Sequence, residues 1–358
     1  MVRDYSAFLL GAKTTQRTPT VLEGLGWSPV FARQIDADAL TATPPVRVLS
    51  VHRSGLQVAG DGIEETIPPG PEATVGDWLL MERARPRSSQ VLDRKSLIKR
   101  RAPGTGREVQ LIAANIDTVF VVTSCNTDFN IARLERYVAL AFEADIEPVI
   151  VLTKADLAED PASYVTAARA ISDRVPVVAL DARGDEPAQA LVDWCKPGRT
   201  VAFLGSSGVG KSMLSNALLS AQAIATQGIR EDDAKGRHTT TRRELHVTPG
   251  GCLVLDTPGM RELQLTEAAE GIAGVFEDIE AMAAQCRFAD CQHETEPGCA
   301  IRTAVDDDRL DPARLARWRK LQAEDAFNSA SLAERREKDR AFGKIVRSAV
   351  GAKPRNKK

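Results

Sequence analysis

Three short segments carry the residue types needed to hold a nucleotide. Thr153-Lys154-Ala155-Asp156 comes first, Gly205-Ser206-Ser207-Gly208-Val209-Gly210-Lys211-Ser212 second, and Asp256-Thr257-Pro258-Gly259 third. The middle segment fits G-x-x-x-x-G-K-[ST] without a mismatch. Glycines at those positions let backbone N–H groups converge on phosphate oxygens, and the helix that follows adds its N-terminal dipole. Lys211 is expected to reach the β and γ phosphates and Ser212 to ligate Mg²⁺, with Met213 completing the binding stretch. Asp256 is placed to hold Mg²⁺ through water, and Gly259 can donate its N–H to the γ phosphate.

Lys154 and Asp156 choose the base. A carboxylate at Asp156 accepts hydrogen bonds from guanine N1–H and the N2 amino group, whereas adenine offers no donor pair and leaves the charge unpaired. The aliphatic stem of Lys154 can cover the ring face. Thr153 stands where Asn is usual, and one hydrogen bond between the clamp and the base or the phosphate loop is expected to be lost. Leu180 to Gly184 falls where a second base-contacting loop belongs, although its sequence fits that pattern poorly. A clamp of this kind normally follows the phosphate loop. Here it precedes it, so the nucleotide fold is expected to be circularly permuted.

Lys235 to Thr241 lies where a switch loop would fall. Thr239 or Thr240 is the candidate to complete the Mg²⁺ shell when the γ phosphate is present. Met260 follows Asp-x-x-Gly at a position where many GTPases carry a water-orienting Gln, and a thioether cannot do that work. His238 is the candidate to position or deprotonate water in its place, because imidazole titrates near neutral pH.

Cys286, Cys291, His293 and Cys299 give a Cys-x4-Cys-x-His-x5-Cys spacing. Three thiolates and one imidazole form a closed tetrahedral shell, the pattern of structural zinc rather than of disulfides. Cys125, Cys195 and Cys252 are scattered through apolar segments and read as packing residues.

The elements that position these groups can be read along the 358 residues, of which 43% are hydrophobic and 27% charged. Residues 1–43 form a lead-in with a short helix around Trp27. Residues 44–106 alternate in short strands with close turns and are expected to form an OB-fold β-barrel that binds RNA. Residues 107–270 alternate strand and helix, with every nucleotide motif following a strand, as in open α/β sheets. Residues 271–358 read as a helical zinc-binding domain ending in a basic tail. The fold class is therefore multidomain α/β.

The formal charge of −2 hides two basic stretches. Residues 331–358 hold ten Lys or Arg against three acidic residues, and residues 81–107 hold nine against two. Both suggest a polyanionic partner. Trp78 is the one aromatic residue between Pro44 and Arg107, so Arg83, Arg85, Arg87, Arg94, Lys95, Lys99, Arg100 and Arg101 point to phosphates and folded RNA shape rather than base stacking. Nothing in the chain reaches the length of an apolar membrane span, and the start has no secretory pattern. A cytoplasmic monomer is expected.

These motifs together resemble the circularly permuted, ribosome small-subunit-dependent GTPase family RsgA. The resemblance also rests on Gly76-Asp77-Trp78, Lys95-Ser96-Leu97-Ile98-Lys99-Arg100 and Ile112-Ala113-Ala114-Asn115-Ile116-Asp117. It implies an OB-fold, a permuted GTPase domain and a C-terminal zinc domain. It also implies GTP hydrolysis stimulated by the small ribosomal subunit, with that particle and its rRNA as partners, during late subunit maturation. An RNA-binding scaffold that retains GTP with little turnover is the alternative, and Met260 is its motive.

Overall fold

The computed structural model describes residues 19–36, 40, 42–101, 109–183, 186–225, 243–256 and 267–329. His238, Thr239, Thr240, Gly259 and Met260 lie outside the described residues, as does the basic tail.

The first strands are β1 (Pro45–His52), β2 (Gly55–Gly60), β3 (Ile63–Ile67), β4 (Trp78–Leu80) and β5 (Gln90–Val91). β1, β2 and β3 form an antiparallel meander, β4 returns to pair with β1, and β5 pairs with β4. Alternation along these strands divides their side chains. Leu79 and Met81 join Val46, Val48, Leu56, Val58, Ile63 and Ile67 in one cluster. Trp78 and Leu80 point the other way, into the main core with Phe31, Ile98 and Ile112. Two one-turn helices, Val21–Gly24 and Pro29–Ala32, flank Trp27. They bring Trp27 edge-on to Trp78 at a centroid separation of 4.7 Å.

β6 (Leu97–Arg101) and β7 (Val109–Ala114) form a separate antiparallel pair. The sheet that follows comprises β8 (Thr118–Ser124), β9 (Glu147–Thr153), β10 (Val177–Ala179), β11 (Thr200–Leu204), β12 (Glu244–Val247) and β13 (Leu253–Asp256). Its order is β10-β9-β8-β11-β13-β12, parallel except for β12. A single bridge between Ser50 and Glu244 joins β12 to β1, so the meander and the parallel sheet are continuous. From β8 the chain steps outward to β9 and β10, then crosses to β11 on the other side of β8. The β8/β11 boundary is thus a topological switch point, where open α/β sheets form their ligand crevice.

Helices α1 (Ile131–Glu143), α2 (Pro161–Arg169), α3 (Glu186–Ala190) and α4 (Lys211–Ala225) connect these strands. The carboxy-terminal segment holds α5 (Ala269–Val275), α6 (Glu277–Ala283), α7 (Ala300–Asp306) and α8 (Pro312–Ser329). Asn130 caps α1 by accepting the Arg133 N–H at 2.9 Å, and α1 buries Leu134, Tyr137, Val138 and Ala141 at helical spacing. α5 crosses α1 so closely that a Cβ at Gly271 would sit 2.1 Å from the Ala139 carbonyl oxygen. Any larger residue there must push the two helices apart.

α1 also buries Glu135 completely. Arg317 Nε donates to both its oxygens, at 3.0 and 2.8 Å, and Arg314 lies 3.5 Å from Oε1. Burial raises the Glu135 carboxyl above its ordinary value and outweighs the lowering by Arg317 and Arg314. The contact therefore fixes where α8 docks more than it adds net stability. Glu135→Ala is expected to cost about 2–4 kcal/mol in urea unfolding, because Arg317 and Arg314 are left facing a hole. An unfolding midpoint equal to that of the unsubstituted chain would show that the pair does not hold α8.

Candidate functional site

β9, β11 and β13 all end at the carboxyl edge of the parallel sheet. β9 delivers Thr153, fully buried, in register with Ser124 of β8. Lys154 then adopts φ 58°, and Ala155–Leu157 form a 3-10 turn that carries Asp156 outward. β11 delivers Gly205 at φ 148°. A Cβ there would meet the Val122 carbonyl oxygen at 2.2 Å, so only glycine lets the loop leave the strand here. The loop then runs through Ser206, Ser207, Gly208, Val209 and Gly210 into α4, which opens at Lys211 and carries Ser212 and Met213 in its first turn. Val209 is buried beneath the loop while Ser212 and Met213 are exposed. β13 ends at Asp256, paired in register with Glu244.

Clamp and loop touch directly. Thr153 Oγ1 donates to the Val209 carbonyl at 2.6 Å and lies 3.2 Å from the Thr123 carbonyl. Of the bond expected to be lost, to the base or to the loop, the one to the loop is present. The Thr153 hydroxyl is short, but the loop approaches closely enough to accept from it. Lys154 Nζ donates to the Gly208 carbonyl at 3.0 Å, which draws the lysine stem along the loop. Lys211 Nζ donates to the Gly205 carbonyl at 2.8 Å and to the Ser206 carbonyl, folding back over the loop from α4. Residues encoded some fifty positions apart, such as Lys154 and Gly208, thus line one crevice.

The loop after β10 belongs to the same site despite its poor sequence match. Ala182 lies against the phosphate loop, 3.5 Å from where a Cβ on Gly210 would stand. Arg183 Nη2 reaches Asp156 Oδ2 at 2.5 Å. The side-chain hydrogen bond from Arg183 holds the Asp181 carboxyl below its ordinary value. These residues fall within Leu180 to Gly184, the stretch expected to supply a second base-contacting loop, although no residue type there marks the Arg183 contact with Asp156.

The Cys and His cluster forms a second centre, on the α6–α7 connection. The ligand atoms of Cys286, Cys291, His293 and Cys299 all lie within 4.8 Å of one another. His293 Nδ1 is 3.5 Å from both Cys286 Sγ and Cys299 Sγ. Zinc bond lengths require about 3.6 Å along the sulfur–nitrogen edge of a tetrahedron, so the donors fit a four-coordinate ion. Burial raises the Cys286 thiol, but N–H groups of Ala300 and Ile301 and the neighbouring thiols leave it below its ordinary value. His293 sits at φ 61° on a turn organised by Glu296. The Glu296 carboxylate accepts N–H bonds from Gln292, Glu294 and Thr295 at 2.8–3.0 Å, and those bonds lower its pKa to about 2. Arg319 of α8 donates to the His293 carbonyl at 2.6 Å, which docks the long helix on the Cys/His cluster.

The basic stretch divides. Arg83, Arg85 and Arg87 are exposed. Arg94 instead binds buried Asp77 at 2.8 Å, and Lys95 binds Asp117 at 2.5 Å. Those two cations are tied into the interior, which corrects their place among expected phosphate contacts. Trp78 is fully buried and offers no stacking platform. Cys125 and Cys252 are buried and Cys195 half-buried, as packing residues should be.

Comparison with known proteins bears on the nucleotide site. The pattern of the RsgA GTPase family matches residues 91–266. "Small ribosomal subunit biogenesis GTPase RsgA 2" of Vibrio parahaemolyticus is 45% identical over 342 residues, covering 94% of each chain. "Small ribosomal subunit biogenesis GTPase RsgA" of Mesorhizobium japonicum is 49% identical, covering 88% of this chain and 92% of that one. Among solved structures, YjeQ from Thermotoga maritima aligns with a TM-score of 0.57 at 27% identity, over 77% of this chain and 96% of its own. YloQ, described as a circularly permuted GTPase, shares the fold at a TM-score of 0.55 and 23% identity, over 81% of this chain and 97% of its own. With Thr153 to Asp156 encoded ahead of Gly205 to Ser212 and near-full-length likeness to these relatives, the chain belongs to the RsgA GTPase family.

Proposed function

We propose that this protein hydrolyses GTP to GDP and phosphate, with Mg²⁺, in response to the small ribosomal subunit, and acts late in that particle's maturation. The observation that carries this is the contact of Thr153 and Lys154 with Val209 and Gly208, at 2.6 and 3.0 Å. It supports reading Asp156, two residues after Lys154, as the guanine-selecting carboxylate of a phosphate-binding loop. The names of the relatives supply the particle.

In this reading Asp156 selects guanine and Lys154 covers the ring. The backbone N–H groups from Gly205 to Ser212 hold the phosphates, and Lys211 offsets charge that develops on them. Ser212 and Asp256 would hold Mg²⁺, which neutralises phosphate charge when bound. Thr239 or Thr240 would add to that shell, Gly259 would donate to the γ phosphate, and His238 would position water. Cys286, Cys291, His293 and Cys299 hold one structural zinc. Residues 44–106 act as an OB-fold RNA-binding domain presenting Arg83, Arg85 and Arg87, residues 107–270 as the permuted GTPase domain, and residues 271–358 as the zinc domain. The protein works as a cytoplasmic monomer; no described helix is long and apolar enough to cross a membrane.

Phosphate release from GTP, measured with and without purified small subunits, tests the proposal. Release is expected to rise with added subunits. Lys211→Ala is expected to lower the stimulated rate by about 100- to 1,000-fold, the range for removing one preorganised donor from developing charge. Release that stays at the buffer rate with subunits present would favour the scaffold reading.

A further inference from the structure

Asp156 already has a donor from its own chain. Arg183 Nη2 lies 2.5 Å from Asp156 Oδ2, while Arg183 Nε donates to both oxygens of Asp181, at 2.9 and 3.0 Å. Asp181 Oδ1 also accepts the Arg183 backbone N–H at 3.0 Å, so the guanidinium is braced from behind and aimed at the clamp. A guanidinium is planar and presents adjacent N–H donors to a carboxylate. The pairing edge of guanine presents N1–H and an N2 amino hydrogen in the same donor–donor pattern. The two groups suit one acceptor.

We propose that Arg183 is an internal competitor for the carboxylate that reads guanine, so that it weakens guanine-nucleotide binding and narrows discrimination against adenine. The proposal rests on Asp156 being the guanine clamp. Guanine must displace Arg183 Nη2 from Asp156 or share its oxygens. Adenine has no donor pair for Asp156, and with Arg183 in place the carboxylate stays paired when adenine arrives. Without Arg183, adenine strands that charge, while guanine meets no rival. The Arg183 side chain is 59% exposed and that of Asp156 29% exposed, so solvent screens the pair and a ligand can displace it.

The dissociation constants of GDP and ADP, measured by titration calorimetry on the full chain, test this. Arg183→Ala and Arg183→Gln are each expected to tighten GDP by about two- to fivefold, the range for an exposed ion pair, and to leave ADP no tighter. In an Asp156→Asn background, Arg183→Ala should leave GDP affinity unmoved. GDP binding unchanged in both single variants overturns the proposal. Weaker GDP binding also overturns it, and shows that Arg183 packs on the base instead. Asp156→Asn alone separates the underlying reading, because an Asn amide can donate to the extra carbonyl of xanthine. If that variant prefers XDP while Arg183→Ala fails to tighten GDP, only the competitor role falls. If it prefers GDP over XDP as strongly as the unsubstituted chain does, the clamp reading falls and the competitor with it.

Discussion

Replacing Cys299 with Ala should weaken zinc binding by more than about 100-fold, since even outer partners of metal ligands cost about 10- to 100-fold when removed. Cys299 is the most buried of the four donors at 3% exposure, and it also caps α7 by accepting the Arg302 N–H at 3.5 Å. The substitution therefore removes a ligand and a helix cap together. Unfolding should stay local. Ile301, Ala304, Leu315, Trp318 and Leu321 belong to the main core, so α7 and α8 have packing that does not depend on the metal. The connection between Cys286 and Cys299 is anchored less: Phe288 is 41% exposed, Glu296 holds the turn through backbone bonds, and α8 reaches it through Arg319 on the His293 carbonyl and Trp318 beside the His293 ring. Hydrogen exchange should accordingly rise at Gln292 to Thr295 and at Arg302, and much less at Leu321. A chelator applied to the unsubstituted chain should reproduce the pattern, because structural metal binding is itself folding free energy. Cys125→Ala, at a buried thiol outside the cluster, should leave zinc content at one per chain. A Cys299→Ala protein that kept zinc at unchanged affinity would remove Cys299 from the ligand set.

What could be read in the sequence follows from where the information lies. The phosphate loop is legible because its glycines answer a local demand, the Val122 carbonyl crowding Gly205. The metal cluster is legible because its four ligands fall within a short stretch and each must be Cys or His. The strands β8, β9 and β11 announce themselves as buried apolar runs. β12 did not, because Glu244-Leu245-His246-Val247 is four residues long with only Leu245 buried. β6 lies in the Lys95 to Arg100 segment that resembles the family, yet the Lys and Arg residues after Ile98 disguise its alternation. Arg183 on Asp156 and Arg317 on Glu135 pair residues 27 and 182 positions apart, and no periodicity reports such contacts. The same holds for Gly76-Asp77-Trp78 and for Ile112 to Asp117. Sequence likeness singled these segments out without assigning them work. The structure shows them meeting, with Asn115 Nδ2 donating to the Gly76 carbonyl at 2.9 Å and Asp117 Oδ2 accepting the Thr200 N–H at 2.7 Å.

Arg47 stands where those segments converge, and Arg47→Ala is expected to cost about 3–5 kcal/mol of folding stability, near the upper end for a single substitution. Val46 and Val48 send their side chains into the meander cluster, so alternation turns Arg47 to the opposite face, toward the parallel sheet. There it is 1% exposed and donates in four directions. Nη1 bonds the Leu25 carbonyl, Nε the Gly76 carbonyl at 3.3 Å, and Nη2 both the Asn115 carbonyl at 3.2 Å and Thr200 Oγ1 at 2.8 Å. Burial lowers the guanidinium pKa to about 10, with Asp117 and Asp77 pulling it back up, so the group remains charged at neutral pH. A buried charge of this kind need not be a net stabiliser. Truncating it is costly for a different reason: the main-chain carbonyls of Leu25 and Asn115 lose this donor and substitution at residue 47 cannot remove them, whereas the Gly76 carbonyl keeps Asn115 Nδ2. Each buried acceptor left unpaired costs about 1–3 kcal/mol, and partial collapse of the site keeps the sum below simple addition. Arg47→Lys keeps the charge but loses the planar fork, so it should recover only part of the loss. Arg85→Ala, on the exposed part of the basic stretch, should shift stability by no more than about 0.5 kcal/mol. Urea unfolding of the three variants measures the series. Because Thr200 begins the strand that delivers Gly205, the same bonds set the meander against the strand carrying the phosphate loop. An Arg47→Ala protein as stable as the Arg85→Ala control would mean that apolar packing around Trp78 and Phe31, not this guanidinium, joins the two parts.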